Sequence, residues 1–329
     1  MVGSKVSLPD PARRDGAPPL DELRALIAYY AGRPGRAVDG VMLSSVEEPG
    51  PPSSSVADPV LAVVAQGAKR LTVGDRVHDY GAGQYLVVSV GLPVTGHYTR
   101  ATRERPFLAF GLTLRPAAIA SLLLEAGPAA HAERDSAADG PGGRGPRTPP
   151  GIAVGDVGAD LLDAVVRMIR LLGRPADVPV LAPMAEREIL WRLVTGPQGA
   201  AVRQIGLADS RLSHIGRAIR ALRDRFAESV RVDELARMCG MSASAFHRHF
   251  RAVTAMTPIQ FQKNIRLREA RLLLIGGPRD VASVGFAVGY DSPSQFSREY
   301  RRQFGIPPGQ DAVRLRELAA APEAAAVPL

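Results

Sequence analysis

Two segments near the C-terminal end of the chain are built on one plan. The first reads VDELARMCGMSASAFHRHFR from Val232 and the second DVASVGFAVGYDSPSQFSREYRR from Asp280. In each, a small residue (Ala236, Gly285) stands four positions before a glycine (Gly240, Gly289), and two aromatics follow at i,i+4 (Phe246 and Phe250, Phe296 and Tyr300). The glycine permits a turn with φ > 0, the small residue lets two helices cross closely, and the aromatic pair gives the second helix one buried stripe. The spacing therefore predicts two helix-turn-helix units, with Leu235, Ala236 and Met238 on the inner side of the first helix and Ser242 capping the next.

A buried stripe fixes the opposite face. At about 100° per residue, the positions farthest from Phe246 and Phe250 are Ser244, Arg248 and Arg251, with His247 beside them. The same step from Phe296 and Tyr300 reaches Ser294, Arg298 and Arg301, with Ser297 beside them. Short polar residues near a helix N-terminus and arginines farther along suit entry into the DNA major groove, where arginine can take a guanine edge through two hydrogen bonds. With Ser242 at the helix start, these residues form the expected DNA-contacting set. An exposed arginine on one helix is as well explained by solvation or a carboxylate partner; two matched faces in a basic region favour the groove.

Charge supports that choice. Of the net +8, residues 211–316 hold nineteen Arg and Lys against nine Asp and Glu, a balance of +10, and the remainder of the chain is at −2. A basic module on a slightly acidic one is the footprint of a polyanion binder. Within it, Arg220, Arg223, Lys263 and Arg266 are expected to attract phosphate. Between the two units, Pro258–Leu274 has the apolar stripe Phe261, Ile265, Leu267 and Leu272. Such a helix could hold both units on one side of a duplex, in groove segments about 34 Å apart.

Upstream, Leu20–Ala31 has helical spacing and stops at Gly32. From Val41 to Leu114 the chain runs as short strand-like segments (VMLSSV, VLAVVAQ, KRLTV, RVHDY, QYLVVSV, VTGHYT, FLAFGLTL). Turns are placed at Gly74-Asp75, Gly81-Ala82-Gly83 and Leu92-Pro93, giving a compact sandwich or barrel. Helices follow at Pro116–Ala126, Ala159–Leu172, Pro183–Val194 and Ser210–Phe226. The expected organisation is a disordered start (1–19), a strand-rich sensor domain (20–126), a Gly/Pro-rich insert (127–155), a helical connecting segment (156–208), the paired helix-turn-helix domain (209–316) and a flexible tail (317–329).

The segment GYDSPSQFSREYRRQFGIPPGQ resembles the C-terminal signature of the AraC/XylS family of bacterial transcription regulators, and residues 232–308 resemble that family's two-unit DNA-binding domain. VLAVVAQGAKRLTVGDRVHDYGAGQYLVVSVGLPVTG and APMAEREILWRLVTGPQGAAVRQI resemble one N-terminal class within it, so the likeness covers roughly residues 20–316. The resemblance implies an α+β chain, a cupin-like β-barrel followed by an all-α domain, and DNA contacts from Ser244, His247, Arg248, Ser294, Ser297 and Arg298. It also implies double-stranded DNA, RNA polymerase, a small-molecule effector and a second copy of the chain as partners, in activation or repression. Tyr85, Val87, His97 and Phe107, on strands that could line a barrel, are the candidate effector contacts. Ala243 and Ser244 stand where many relatives carry larger side chains, which points to sparse base readout in the first unit.

The rival from another class is a cupin-type metal enzyme fused to a DNA-binding domain. A mononuclear cupin site needs H-x-H with a following glutamate. His78, His97 and His131 are scattered instead, and Gln84, Tyr85, Leu86 and Val87 follow Gly83. No enzyme activity, cofactor or metal is expected. Cys239 is the only cysteine, which rules out an internal disulfide; its row with Leu235 and Met238 makes it a core residue rather than a redox switch. No stretch reaches the ~18 apolar residues of a membrane span and the start lacks the apolar core of a signal peptide, so the expected location is the cytoplasm.

Overall fold

A computed structural model describes residues 19–33, 37–126, 150–207, 210–276 and 280–320. The expected disordered start, most of the expected insert, the end of the expected tail and His131 lie outside the described residues.

Helix α1 (Pro19–Tyr30) is followed by eight strands: β1 (Val41–Val46), β2 (Ser53–Ala57), β3 (Val60–Gln66), β4 (Ala68–Val73), β5 (Arg76–Gly81), β6 (Gln84–Val88), β7 (Leu92–Arg100) and β8 (Phe107–Thr113). After α2 (Pro116–Ala126) comes β9 (Ile152–Asp156). All pairings are antiparallel, in a five-stranded sheet of order β1-β8-β3-β6-β9 and a four-stranded sheet of order β2-β7-β4-β5. The arrangement is an open pair of antiparallel sheets, within the sandwich-or-barrel expectation and only loosely cupin-like. The sheets face each other: Tyr98 of β7 and Phe107 of β8 meet with ring centroids 4.9 Å apart. α1 covers the other face of the first sheet through β1, β3 and β8. Burial on both sides explains why VLAVVAQ and FLAFGL are continuous apolar runs rather than alternating ones.

Two strands depart from the sequence reading. Leu92-Pro93, expected as a turn, begins β7; the β4 ladder ends at Thr72 opposite Thr95, so at Pro93 no β4 partner requires the missing N–H. The end of the expected insert forms β9, which closes the first sheet against β6 with Gly155 opposite Tyr85.

The remaining elements are helical: α3 (Ala159–Arg170), α4 (Val178–Thr195), α5 (Gly199–Gly206), α6 (Arg211–Asp224), α7 (Val232–Met238), α8 (Ala243–Thr254), α9 (Pro258–Ile275), α10 (Val281–Ala287), α11 (Pro293–Phe304) and α12 (Pro308–Ala320). The segment expected as a connector packs back on the sheet domain. α3 lies along α1, with Arg170 clasping the buried Glu22 at 2.6 and 2.8 Å, and α5 lies on α2, where Gly206 leaves no room for a Cβ (2.7 Å from Ile119). α4 starts five residues before Pro183, and α12 continues into the expected tail as far as Ala320.

One apolar core runs from the sheets through α3–α6 to the first helix-turn-helix unit and the first half of α9; a second, smaller core belongs to the other unit. α9 joins them, giving Phe261 and Ile265 to the first and Leu267, Ala270 and Leu274 to the second. Leu272, expected in this stripe, is exposed, as is Met238 on α7. Cys239 is buried in the first core, its thiol donating to the His214 carbonyl at 3.1 Å, and burial pushes that thiol's pKa up. Among the described residues no helix is long and apolar enough to cross a membrane.

Candidate nucleic-acid interface

In both units the turn is closed by the same backbone bonds. Gly240 N–H donates to Arg237 (2.9 Å) and Met241 N–H to Ala236 (2.9 Å); Gly289 donates to Phe286 (3.0 Å) and Tyr290 to Gly285 (3.0 Å). Gly240 and Gly289 have φ of 64° and 89°. Ser242 accepts from Ala245 N–H (3.3 Å) and caps α8, while Ser292 accepts from Gln295 N–H (3.4 Å) and caps α11. The second turn is one residue longer, since the glycines are 49 positions apart and the caps 50.

The second helices bury the aromatic stripe completely. Phe246 and Phe250 meet at 5.4 Å, Phe250 meets Phe261 of α9 at 5.5 Å, and Phe296 meets Tyr300 at 5.6 Å. Gly285 holds α10 against α11, because a Cβ there would sit 3.1 Å from the Phe296 ring. Tyr290 and Tyr300 hydroxyls donate to buried Glu299 and Asp311, each at 2.9 Å. Glu299 also takes Lys263 (2.7 Å), and Asp311 takes Arg271 (2.9 Å) and Arg314 (3.1 Å).

The outward face is the one the periodicity indicated. Ser242, Ser244, His247, Arg248 and Arg251 are exposed at the start of α8 and along it; Ser294, Arg298 and Arg301 are exposed on α11, with Ser297 half-buried. Arg248 and Arg298 occupy equivalent positions, and neither is in an ion pair among the described residues. Arg251 faces Asp75 of the β4–β5 hairpin at 3.9 Å. That hairpin and the residue just before β9 hold the C-terminal end of α8: Arg76 donates to Ala252 O at 3.2 Å, and Gly151 N–H donates to Val253 O at 3.0 Å. Asp58 pairs with Arg223 of α6 at 2.7 Å. These cross-contacts carry no local sequence signal.

Three of the four expected phosphate contacts have structural partners. Arg223 is bound to Asp58 and Lys263 to Glu299. Arg266 donates to the carbonyls of Phe226 (2.7 Å), Ala227 (3.2 Å), Glu228 (2.9 Å) and Gly289 (2.6 Å), and burial pulls its pKa down. Arg220 is exposed on α6.

The four candidate effector contacts are not gathered at one site. Tyr85 and Val87 are buried on β6, with Tyr85 packed under Gly155 of β9; Phe107 is buried between the sheets against Tyr98. His97 is opposite Arg70 and His78 opposite Leu71, so the two histidines project from opposite faces of the second sheet and cannot share a metal. Among the described residues no cluster of three metal-ligating side chains occurs.

An open pair of sheets attached to two helix-turn-helix units on a shared helix defines a regulator of the helix-turn-helix class. An AraC-type transcriptional regulator N-terminus matches residues 37–201, half of the chain, and a helix-turn-helix domain matches residues 235–312. The chain belongs to the AraC/XylS family of transcriptional regulators. It is 31% identical over 158 residues to the transcriptional activator RhaS of Escherichia fergusonii, covering 46% of this chain and 56% of that protein. It is 26% identical over 177 residues to the virulence regulon transcriptional activator VirF of Yersinia enterocolitica, covering 52% and 62%. The chain thus spans little more than half the length of these relatives. In fold it is similar to unsaturated fatty acid bound ToxT of Vibrio cholerae, with a TM-score of 0.50 over 84% of this chain and 97% of that one, at 8% identity.

Proposed function

We propose that the chain is a sequence-specific DNA-binding transcription regulator, with α8 and α11 reading successive major-groove segments and a small effector bound in the sheet domain. The observation that carries this is the pair of equivalent exposed arginines, Arg248 and Arg298, on helices whose opposite faces are locked by Phe246/Phe250 and Phe296/Tyr300. The effector half draws on the solved structure of ToxT with a bound unsaturated fatty acid. It also draws on the grip of the β4–β5 hairpin and Gly151 on the end of α8. Ligand-dependent movement of that grip changes how the first reading helix meets DNA, and an effector acts to the extent that it prefers one of the two arrangements. A homodimer, contact with RNA polymerase and a cytoplasmic location belong to the same reading.

Selecting bound sequences from a random DNA pool with the purified chain is the test. A defined site should emerge. Arg248→Ala and Arg298→Ala should each cost about 1–3 kcal/mol and relax preference in one half of that site only. If both substitutions weaken all DNA equally, these arginines hold phosphates and the assignment of the reading face is wrong.

A further inference from the structure

The end of the sheet domain remote from α8 contains a cavity of about 870 Å3, enclosed by the β3–β4 junction, the β5–β6 turn and the β7–β8 loop. Among the described residues its lining includes Lys69, Arg100, Arg105 and, from α1, Arg24, which also pairs with Asp21 at 2.8 Å; the one lining carboxylate, Asp79, is taken by Arg70 through two bonds of 2.7 and 2.8 Å on the outer face of the sheet. The cavity is therefore strongly cationic in net terms.

Lys69 is the unusual member. It is 9% exposed and shares the inner face of β4 with buried Leu71 and Val73, so it points between the sheets instead of snorkelling outward. Gly96 on β7 leaves room for its stem, since a Cβ there would lie 3.0 Å from Lys69 Cε. The ammonium lies 4.7 Å from the Tyr98 ring centroid, and among the described residues no carboxylate pairs with it. Burial lowers its pKa to about 8. Opposite it in register is Tyr80, a buried residue that also contributes to the lining and whose hydroxyl pKa burial raises. A buried cation is normally paired, because desolvation without a counter-ion is costly. Here, among the described residues, the lining offers no carboxylate free to serve as counter-ion, and the exposed arginines around the cavity raise the local concentration of anions.

We infer that this cavity binds a small organic carboxylate, with the Lys69 ammonium as its counter-ion and the Tyr80 hydroxyl as a second donor. The site stands on its own geometry; that its occupant is the effector rests on the regulator reading above. Lys69 and the hairpin that grips α8 lie on one strand, five residues apart, about 17 Å at strand rise. A ligand on Lys69 therefore bears on the element that touches the reading helix.

Calorimetric titration of the full-length chain with sodium octanoate and sodium benzoate, with octanamide and benzamide as uncharged controls, tests the inference. At least one carboxylate should bind and its amide should bind at least tenfold more weakly. Because burial lowers the Lys69 pKa to about 8, binding near that pH should take up a fraction of a proton, read from the dependence of the heat on buffer ionisation. Lys69→Met should lose both the affinity, by tenfold or more, and the proton uptake; Arg105→Ala, at the mouth, should weaken binding severalfold and keep the uptake. Should Lys69→Met fail to fold, the difference between acid and amide and the Arg105 variant decide. No binding by either carboxylate, equal binding of acid and amide, or unchanged binding in a folded Lys69→Met overturns the site. DNA selection on the same preparation separates the two readings. Specific DNA binding without carboxylate binding removes the site and leaves the regulator; carboxylate binding without specific DNA binding does the reverse.

Discussion

Replacing Arg266 distinguishes a structural clasp from a DNA contact. Its guanidinium joins the loop after α6 to the turn of the second unit, donating to carbonyls of Phe226, Ala227, Glu228 and Gly289 at 2.6–3.2 Å. The loop and turn are in close contact, since a Cβ on Gly289 would lie 2.1 Å from Ala227 O. Hydrogen bonds from a charged donor contribute about 1.5–3 kcal/mol each. The group is only partly buried and water can replace some of the lost bonds, so the four together should be worth about 3–5 kcal/mol, a large share of a domain's ~5–15 kcal/mol. Arg266→Met should lower the urea midpoint of the helical region accordingly. Arg266→Lys should recover little of it, because a point charge cannot reproduce the planar fork. Affinity for DNA, corrected for the folded fraction, should keep the wild-type dependence on salt. A phosphate contact makes the opposite forecast: Arg266→Lys close to wild type, and Arg266→Met flattening the slope of log K against log salt by about 0.9. A flattened slope with unchanged stability would refute the clasp.

The two turn glycines should respond unequally to alanine. At Gly240 only the positive φ is strained, about 1 kcal/mol, whereas at Gly289 the new Cβ also displaces the Ala227 backbone, adding about 1–3 kcal/mol; thermal melts of the two variants measure the gap. Phe250→Ala should cost about 3–5 kcal/mol and weaken binding to every sequence alike, since it opens the packing between α8 and Phe261, and denaturant unfolding beside DNA titrations checks both effects. Burial acts to raise the pKa of Glu299, but the Lys263 ammonium and the Tyr290 and Gln295 donors outweigh it and hold the carboxyl below its usual value of 4.5. Its contribution is therefore present above that value and lost as pH falls through the lowered one. Melting temperature should drop on the acid side, and Glu299→Gln should flatten that limb.

The exposed face proposed to read DNA was legible because helical periodicity is local: two aromatic pairs at i,i+4 fix a buried stripe and, by rotation alone, the opposite side. What was illegible depends on partners far along the chain. Ser53–Ala57 is not among the strand-like segments, yet its backbone forms β2 against β7, and β9 arises from the Gly/Pro-rich neighbourhood because β6 offers it an edge. Lys263 and Arg266 look like neighbouring basic residues; their roles are set by Glu299 and by carbonyls 23 to 40 positions away. The candidate effector residues were drawn from strand membership, which does not say which face is inward. A usable signal was present in KRLTV, where Lys69 alternates with Leu71 and Val73 and so places a lysine on an apolar stripe. On a solvated strand that pattern would be reversed, with the charge opposite the apolar residues. A lysine in phase with them must be paired in the interior or face a cavity; Lys69 is in no ion pair among the described residues, its ammonium lies by the Tyr98 ring, and it contributes to the lining of the cavity at the end of the sheets.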